Sequence, residues 1–367
     1  MGEKRKLEHI KICLERNVEA EYTKTGFEEI YLVHRCLPEL NLDEVSTETF
    51  FLGEKFNAPL VISAITGGPR LSTIINRSLA EAAQELNIIL ELGSQRPALE
   101  DPSLLASFKV VREVAPDAYV VANLGAVQLV ERGVEYVKQA VDMVDADAVA
   151  IHLNPLQEAI QLEGEARFRG VAEALKQLTR ELNLPVIVKE TGCGVAGEEA
   201  RLCAELGVSA IDVAGAGGTS WGAIEGYRAL EAGDHMKFSL GMKFRDWGIP
   251  TAISILETKH HSKLPIIASG GVRSGVDVAK ALALGADMAG MALPLLRPAL
   301  IGSWAVTSRL SEVVEELRLA MFLTGSKSVE ELKEADVVIT GRTAEWLRAR
   351  GLELSTFAKR RSTYARR

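Results

Sequence analysis

Short apolar runs alternate with longer amphipathic segments through the middle of the chain. Most of these runs lack strict in-and-out alternation, as in VVANL and PVIVK. Near-continuous apolar runs are typical of strands that are covered on both faces in a parallel sheet. The pattern therefore predicts eight such strands, within residues 58–65, 87–93, 118–125, 146–154, 185–191, 210–215, 265–270 and 287–293.

The segments between these runs have the pattern of helices. Residues 71–86 repeat apolar side chains at helical spacing, residues 104–114 do so after an Asp-Pro pair, and residues 276–284 end at Gly285. Eight β-then-α units predict an α/β fold, a closed (β/α)8 TIM barrel. A doubly wound open sheet is the alternative, but it usually has fewer consecutive units and a reversal point in strand order that we do not find in the pattern.

Three segments fall outside the eight units. Residues 1–57 form an N-terminal extension, which we expect to close over the active site. Residues 219–250 form an insertion within the barrel segment, residues 58–297. Residues 298–367 form a mostly helical C-terminal tail, which we expect to pack on the barrel and to end in a solvated basic cluster, KRRSTYARR.

Charge and composition limit the partners. The 367 residues contain 42 Lys and Arg against 50 Asp and Glu, a net charge of −8, which disfavours nucleic acid and anionic membrane surfaces as partners. Four cysteines without a C-x-x-C pair favour reduced thiols. The start of the chain is charged, and no uncharged apolar stretch of about 18 residues follows. We therefore expect a soluble, cytoplasmic protein, in which any anionic ligand is held by a local site.

Candidate chemistry collects just after the apolar runs, where a TIM barrel places its active site. The sixth run ends in GAGGT, with Thr219, and the seventh in GGVRSG, with Arg273. Glycine-rich turns that open a helix let backbone N–H groups approach a phosphate. Two adjacent turns, each with a donor side chain, predict a phosphate site, although such glycines can also serve only to make tight turns.

Lys189 follows the run Pro-Val-Ile-Val, so its ammonium leaves a buried strand at the mouth of the barrel. There it must meet an anion or an electron-rich group. The alternative is an ion pair with Glu190 or another carboxylate. Since successive strand residues point to opposite faces, Glu190 is expected to point away from Lys189.

The segment HLNPLQE holds the densest polar group. His152 and Asn154 share one strand face, and Pro155 is expected to break the strand so that Gln157 and Glu158 lie in a loop over the mouth. One carboxylate combined with substrate phosphate oxygens and water is a usual way to hold Mg²⁺. The alternative is that Glu158 only caps the next helix. No Cys or His spacing indicates zinc.

The basic run at the N-terminus, Lys4-Arg5-Lys6 with His9 after it, has two interpretations. Such runs are normally solvated and frayed, and composition alone favours that reading. The run could instead fold over an anionic substrate.

The motifs RK-x-x-H, TGG, GSQR, NLG, HLNPLQE, VKE-x-G, GAGGT and GGVRSG, in this order, resemble the type 2 isopentenyl-diphosphate isomerase family, from about Arg5 to Pro294. The resemblance implies an FMN-binding barrel that interconverts isopentenyl and dimethylallyl diphosphate in isoprenoid biosynthesis. It implies reduced FMN as the acid/base catalyst, NADPH only as the flavin reductant, Mg²⁺ on the diphosphate, and a homo-oligomer, either a tetramer or an octamer.

The resemblance also assigns residues. Those that would hold FMN are Ala64, Ile65, Thr66, Ser94, Asn123, Lys189, Thr219, Gly271, Val272, Arg273, Ala292 and Leu293. Those that would contact substrate are Arg5, Lys6, Ser94, Gln95, Arg96 and Gln157. Glu158 would bind Mg²⁺, and the catalytic set His152, Asn154 and Gln157 would position the substrate. Ile65 stands where the family is expected to have Met, a residue of similar apolar size, and Cys193 receives no role.

Two other functions remain open from the sequence. A redox FMN barrel such as a 2-hydroxy-acid oxidase would share the glycine-rich turns, but it has no evident use for HLNPLQE or for the N-terminal basic run. A non-catalytic phosphate- or flavin-binding protein would share the pocket and turn over no substrate.

Overall fold

The eight apolar runs form the eight parallel strands of a closed barrel, which confirms the predicted fold. The computed structural model describes residues 2–360. Each barrel strand, β4 to β11, lies inside its predicted run, and neighbours in the chain are neighbours in the barrel, with β11 closing on β4. The strands are β1 (Ile30–Leu32), β2 (Thr49–Phe51), β3 (Glu54–Phe56), β4 (Leu60–Ile62), β5 (Ile89–Glu91), β6 (Val120–Gly125), β7 (Ala148–Leu153), β8 (Val186–Glu190), β9 (Ala210–Asp212), β10 (Ile266–Ala268), β11 (Met288–Met291) and β12 (Val337–Ile339).

Helices surround the barrel, and the three predicted ones form with nearly the predicted bounds. The helices are α1 (Gly2–Glu15), α2 (Arg70–Leu86), α3 (Arg96–Glu100), α4 (Ala106–Val114), α5 (Ala126–Arg132), α6 (Val134–Val144), α7 (Pro155–Ile160), α8 (Val171–Glu181), α9 (Gly197–Glu205), α10 (Trp221–Glu231), α11 (His235–Lys243), α12 (Thr251–His261), α13 (Gly275–Ala283), α14 (Leu293–Ile301), α15 (Ser303–Leu323), α16 (Val329–Lys333) and α17 (Gly341–Ala349). The predicted insertion contains α10 and α11.

The lower half of the barrel interior is apolar. Each strand contributes an inward residue, such as Val61, Ile187 and Met288, to one buried cluster. The antiparallel hairpin of β2 and β3 adds Phe51 and Phe56 to the same cluster, so it closes the barrel at the N-terminal ends of the strands. The opposite end of the barrel is left for a site.

The N-terminal extension has segments at both ends of the barrel. Helix α1 lies at the mouth, where it lines the pocket described below, while the hairpin lies at the bottom. Between them, β1 pairs antiparallel with β12 of the tail, with Ile30 opposite Ile339. Only part of residues 1–57 therefore lies at the mouth that the whole extension was expected to cover.

The tail packs on the barrel helices through α15, which contacts α2 and α13 and buries Val306, Leu310 and Leu317. The basic cluster at its end begins inside the fold, because Arg360 Nη1 donates to the carbonyls of Ala283 and Lys333, both at 2.7 Å. The rest of that cluster, residues 361–367, lies outside the described residues. Among residues 2–360, no helix combines the length and the apolar character that crossing a membrane requires.

Candidate functional site

One large pocket opens at the C-terminal ends of the barrel strands, with a cavity volume of about 1430 Å³ counted to its open mouth. Most of the predicted site residues line it: Arg5, Lys6, Ala64, Ile65, Thr66, Ser94, Arg96, Asn123, His152, Asn154, Gln157, Glu158, Lys189, Thr219, Gly271, Arg273, Ala292 and Leu293. Gln95 and Val272 do not.

A polar layer forms the floor of this pocket. Two residues beyond each inward apolar residue, the strand or its end places a polar or small one, because alternate strand residues point to the same face. The layer consists of Ser63, Glu91, Asn123, His152, Lys189, Asp212, Ser269 and Gly290, and all but Glu91 and Asp212 line the pocket.

Lys189 points into the barrel and is paired there. Its ammonium lies 3.4 Å from Asp212 Oδ2, and the residue is almost fully buried. Burial acts to lower the pKa of Lys189, but the nearby carboxylates of Asp212 and Glu91 outweigh it and raise the pKa. Lys189 is therefore a fixed positive charge at the floor, and both sequence interpretations hold: it faces the pocket and it has an ion-pair partner.

Glu190 takes the opposite face, as expected. Its carboxylate accepts hydrogen bonds from the backbone N–H groups of Thr191, Gly192 and Cys193 at 2.5–2.7 Å. These bonds hold the loop after β8, which brings Thr191 and Gly192 to the pocket wall.

His152 is held as a neutral ring. Asn123 Nδ2 donates to the carbonyl of Leu92 at 2.8 Å, so Asn123 Oδ1 is free to accept from His152 Nδ1 at 2.7 Å. Burial and the nearby Lys6, Lys189 and Arg5 lower the pKa of His152 to about 3. With the proton on Nδ1, His152 Nε2 offers a lone pair rather than a charge.

Gln95 was expected to contact substrate, but the structure does not bring it into the pocket. Its side chain is fully buried behind Asn123, where Nε2 donates to the carbonyl of Ala140 at 2.7 Å and Oε1 accepts from Asn123 N at 2.9 Å. Gln95 thus holds Asn123, and through it His152. Its neighbours Ser94 and Arg96 do reach the pocket.

The two glycine-rich turns pack against each other. A Cβ at Gly218 would lie 2.3 Å from Gly271 N, and Gly271 has a φ of 75°. Side chains larger than hydrogen are excluded there, which leaves backbone in direct reach of a ligand. Arg273 borders the same part of the pocket, and its guanidinium pairs with Glu19 Oε1 at 2.5 Å. The cradle fits a phosphate group. Val272 is buried, so only its backbone can take part.

Gln157 and Glu158 lie on a short helix, α7, and not in the predicted loop. Pro155 ends the strand but also suits the first position of a helix, since its missing N–H is not needed there. Both side chains line the pocket. Glu158 Oε1 accepts from Asn154 Nδ2 at 3.1 Å, and Glu158 Oε2 accepts from Glu165 N at 2.7 Å. The carboxylate is thus oriented and keeps lone pairs available.

The basic run at the N-terminus is helical and lies against the site. Arg5 and Lys6 on α1 line the same pocket as Gln157 and Glu158. Burial, with a smaller contribution from Arg5, lowers the pKa of Lys6 to about 8. The interpretation of this run as a frayed end is therefore wrong.

An ionic cluster that was not predicted from the sequence joins α1 to α10. Glu225 is fully buried; its Oε1 accepts from His9 Nε2 at 2.9 Å and from Gln157 Nε2 at 3.1 Å. Burial would raise the pKa of Glu225, but His9 and Arg228 lower it to about 2. Arg228 donates to Glu8, Glu163 and Glu225 at 2.7–3.2 Å. The sequence signal for this cluster is a Glu and an Arg three residues apart on one helix.

One wall of the pocket is apolar. It is formed by Ile10, Cys13, Trp221, Ile224, Leu293 and Leu296. Trp221 packs edge-on against His9, with ring centroids 5.2 Å apart. The pocket therefore combines a phosphate cradle, a rim of cationic and carboxylate side chains, and an apolar wall.

Comparison with known proteins agrees with this geometry. The family model for FMN-dependent dehydrogenase matches residues 156–339. The isopentenyl-diphosphate delta-isomerase of Methanothrix thermoacetophila is 51% identical over 98% of this chain and 99% of its own. Those of Methanosarcina barkeri and Pyrococcus furiosus are each 48% identical, over 97% and 98% of this chain and 97% and 92% of their own.

Solved structures share the fold. A putative lactate oxidase from Pediococcus acidilactici superposes with a TM-score of 0.64 at 18% identity, covering 88% of each chain. A mandelate oxidase with bound (S)-2-phenylpropionate superposes with a TM-score of 0.61 at 21% identity, covering 92% of this chain and 97% of that one. At these identities the likeness bears on the fold alone.

Proposed function

The chain belongs to the isopentenyl-diphosphate delta-isomerase family, in its FMN-dependent type 2 form, and from this premise we propose that it interconverts isopentenyl and dimethylallyl diphosphate. One observation carries the proposal: the near full-length identity coincides with a single pocket that joins a phosphate cradle, the HLNPLQE segment and the N-terminal basic run. A hydroxy-acid oxidase has no evident use for the last two.

The residues present fit FMN. The paired glycine turns and Thr219 would take its phosphate, while Lys189 and Asn123 at the floor would face its ring system. When bound, reduced FMN supplies the acid and base that move the double bond, and NADPH serves only to reduce it. The chain itself offers a neutral His152 and a permanently paired Lys189, neither of which is suited to protonate an unactivated alkene.

Glu158 is the proposed Mg²⁺ ligand. Among residues 2–360 no group of three or more His, Cys, Asp or Glu side chains is arranged to hold a metal ion. This favours an ion held by one carboxylate together with the substrate's phosphate oxygens and water, which suits Mg²⁺. Asn154 and the backbone of Glu165 orient Glu158 for that purpose.

The substrate diphosphate would lie between α1 and α7. Arg5 and Lys6 supply positive charge there, and Gln157 supplies an amide. Arg96 also borders the pocket, and its guanidinium is paired with Glu100 at 2.7 Å and with Glu165 at 3.1 Å. His152 and Asn154 border the same space and would position the substrate, whose carbon chain would lie along the apolar wall. Closing this space with α1 excludes water from the reacting carbons.

A turnover assay tests the proposal. Purified protein with FMN, reduced anaerobically, is expected to convert isopentenyl diphosphate to the allylic isomer when Mg²⁺ is present, while the oxidised protein is inactive. Flavin reduction by a 2-hydroxy acid without any isomerisation would refute the proposal, and bound FMN without any turnover would indicate a binding protein instead.

The same assay tests Glu158 as the Mg²⁺ ligand. Glu158→Gln is expected to lower activity and weaken its dependence on Mg²⁺ while the flavin spectrum stays unchanged, because Glu158 follows β7 whereas the phosphate cradle follows β9 and β10. Unchanged kinetics in Glu158→Gln would remove Glu158 from the metal role.

We also propose that the chain forms a homo-oligomer, a tetramer or an octamer, as the resemblance implies. Large apolar side chains such as Met236, Trp247 and Trp304 are exposed on the single chain. Sedimentation velocity measures the assembly directly.

A further inference from the structure

Glu91 is a buried carboxyl group in the polar layer that the proposed reaction does not use. It is 2% exposed and sits on β5, two residues beyond the apolar Ile89. Its Oε2 accepts one long hydrogen bond, 3.4 Å, from the backbone N–H of Ala64, and its Oε1 has no hydrogen-bond partner within the described residues. A carboxylate so poorly supplied with donors is costly to keep ionised.

Asp212, in the same layer, accepts more hydrogen bonds and lies next to a positive charge. Its Oδ1 accepts from Ser269 Oγ at 2.6 Å and from Ala214 N at 3.1 Å, and its Oδ2 lies 3.4 Å from the Lys189 ammonium. The layer thus holds two carboxyl groups and one ammonium group. Because Asp212 already balances Lys189, a second negative charge on Glu91 would be in excess.

The charged and titratable groups that face Glu91 are few. From β8 it meets Lys189, whose charge favours ionisation of Glu91, and from β9 it meets Asp212, whose charge opposes it. The remaining members of the layer are neutral: His152 on β7, and Ser63, Asn123, Ser269 and Gly290. The effect of burial on the pKa of Glu91 is larger than the opposite effect of the Lys189 charge, so the pKa is raised to about 7.

We propose that Glu91 is a positioning residue that holds a proton beneath the bound flavin and couples reduction of the flavin to uptake of a second proton from solvent. The inference rests on the proposed FMN site. Ala64, which donates to Glu91, and Lys189, which shares its charge cluster, both line the pocket where the flavin would lie.

Oxidised FMN takes up two electrons and one proton to become the anionic reduced form, with NADPH or a chemical reductant as the donor. Where Glu91 is ionised in the oxidised protein, the added negative charge above it raises its proton affinity, and a second proton moves from solvent to the Glu91 carboxylate. Between the pKa of Glu91 in the oxidised protein, about 7, and its higher pKa in the reduced protein, the couple therefore consumes two protons for two electrons; outside this interval it consumes one.

The midpoint potential of the FMN-loaded protein, measured against reference dyes from pH 6 to 9, tests this. One proton per two electrons changes the potential by about 30 mV per pH unit, and two protons double that slope to about 59 mV. We expect the wild-type slope to double above about pH 7, and Glu91→Gln to keep the single slope throughout. Parallel lines for the two proteins would overturn the proposal.

Two further variants make the result specific. Glu91→Asp keeps a titratable acid and is expected to restore the doubled slope, which a merely structural role would not do. Glu113→Gln removes an exposed carboxylate far from the barrel interior and is expected to behave as wild type. A single slope in Glu113→Gln would assign the effect to overall charge and refute the role of Glu91.

A measurement on the flavin-free protein covers the case in which Glu91→Gln folds poorly. Burial raises the pKa of both Glu91 and Glu190 to about 7. In infrared pH-difference spectra, wild type labelled with ¹³C in its Glu side chains is therefore expected to lose the protonated carboxyl bands of both residues between pH 6 and 9, and Glu91→Asp to lose only the Glu190 share. Equal labelled band areas in wild type and Glu91→Asp would overturn the assignment. Neither this measurement nor the potential uses isopentenyl diphosphate, so failure of the isomerase proposal would be distinguishable.

Discussion

At the scale of single residues, Lys6 is the cation of the substrate site whose charge is most sensitive to pH. Burial holds the pKa of its ammonium at about 8, below the ordinary 10.5. The positive charge is therefore complete below about pH 7 and is lost as the pH rises through 8. Lys189, in contrast, has its pKa raised by Asp212 and Glu91 and stays charged.

The loss of this charge should appear in the kinetics. We expect kcat/KM of the isomerase to fall about tenfold per pH unit above pH 8, because kcat/KM reports ionisations of the free enzyme. Lys6→Arg should keep its charge and shift the fall to higher pH. Lys6→Ala should lower kcat/KM most below pH 8, where wild type carries the charge, and remove the inflection. The same inflection in Lys6→Ala would exclude Lys6 as its source.

Residues at the mouth were largely predictable, because strand ends and period-two alternation place them. His152 and Lys189 followed from that rule alone. Glu91 could have been found the same way, since it lies two residues after Ile89 in a strand. The burial of Gln95 and the reach of Glu225 to His9 were not predictable, because they depend on which loops meet in space rather than on local pattern.

At the scale of elements, Arg228 joins three segments that carry proposed site residues. From α10 it binds Glu8 on α1 and Glu163 in the segment after α7, as well as Glu225. Its side chain is 3% exposed. Helix α1 brings Arg5 and Lys6, and α7 brings Gln157 and Glu158, so Arg228 holds the two sides of the substrate space together.

Removing this link should loosen α1. We expect Arg228→Gln to raise KM about tenfold, roughly 1.4 kcal/mol of binding, with a smaller loss of kcat and faster proteolytic cleavage after α1, measured by limited digestion. Arg228→Lys should recover only part, because Lys lacks the planar fork that binds two carboxylates at once.

The matched control for Arg228 is Arg77→Gln, which removes an exposed ion pair with Glu81 on α2. It is expected to leave KM and proteolysis unchanged, since exposed pairs contribute little. Unchanged digestion in Arg228→Gln itself would show that α1 is held by other contacts.

At the scale of the whole molecule, the barrel has one open end and one closed end. The hairpin of β2 and β3 fills the bottom with Phe51 and Phe56, and Phe56 packs edge-on against Tyr119 with centroids 5.5 Å apart. The eight-strand barrel was predictable from the repeated pattern. The hairpin was not, since strands of three residues are too short to show an alternation.

Phe56→Ala should therefore destabilise the fold without touching the chemistry. Removing a fully buried Phe costs about 3–5 kcal/mol, so the denaturant midpoint should fall clearly, while activity per folded molecule stays unchanged. Phe50→Ala, on the adjacent strand but 67% exposed, should be nearly neutral. Equal midpoints for the two variants would mean that the hairpin does not plug the barrel.

The pairing of β1 with β12 affects how the protein is made. Ile30 and Ile339 become neighbours only after nearly the whole chain has left the ribosome. Contacts between such distant residues form late in folding. A nascent chain therefore completes the barrel, whose last strand ends at Met291, before β12 is available to pair with β1. Until then, β1 has no strand to pair with.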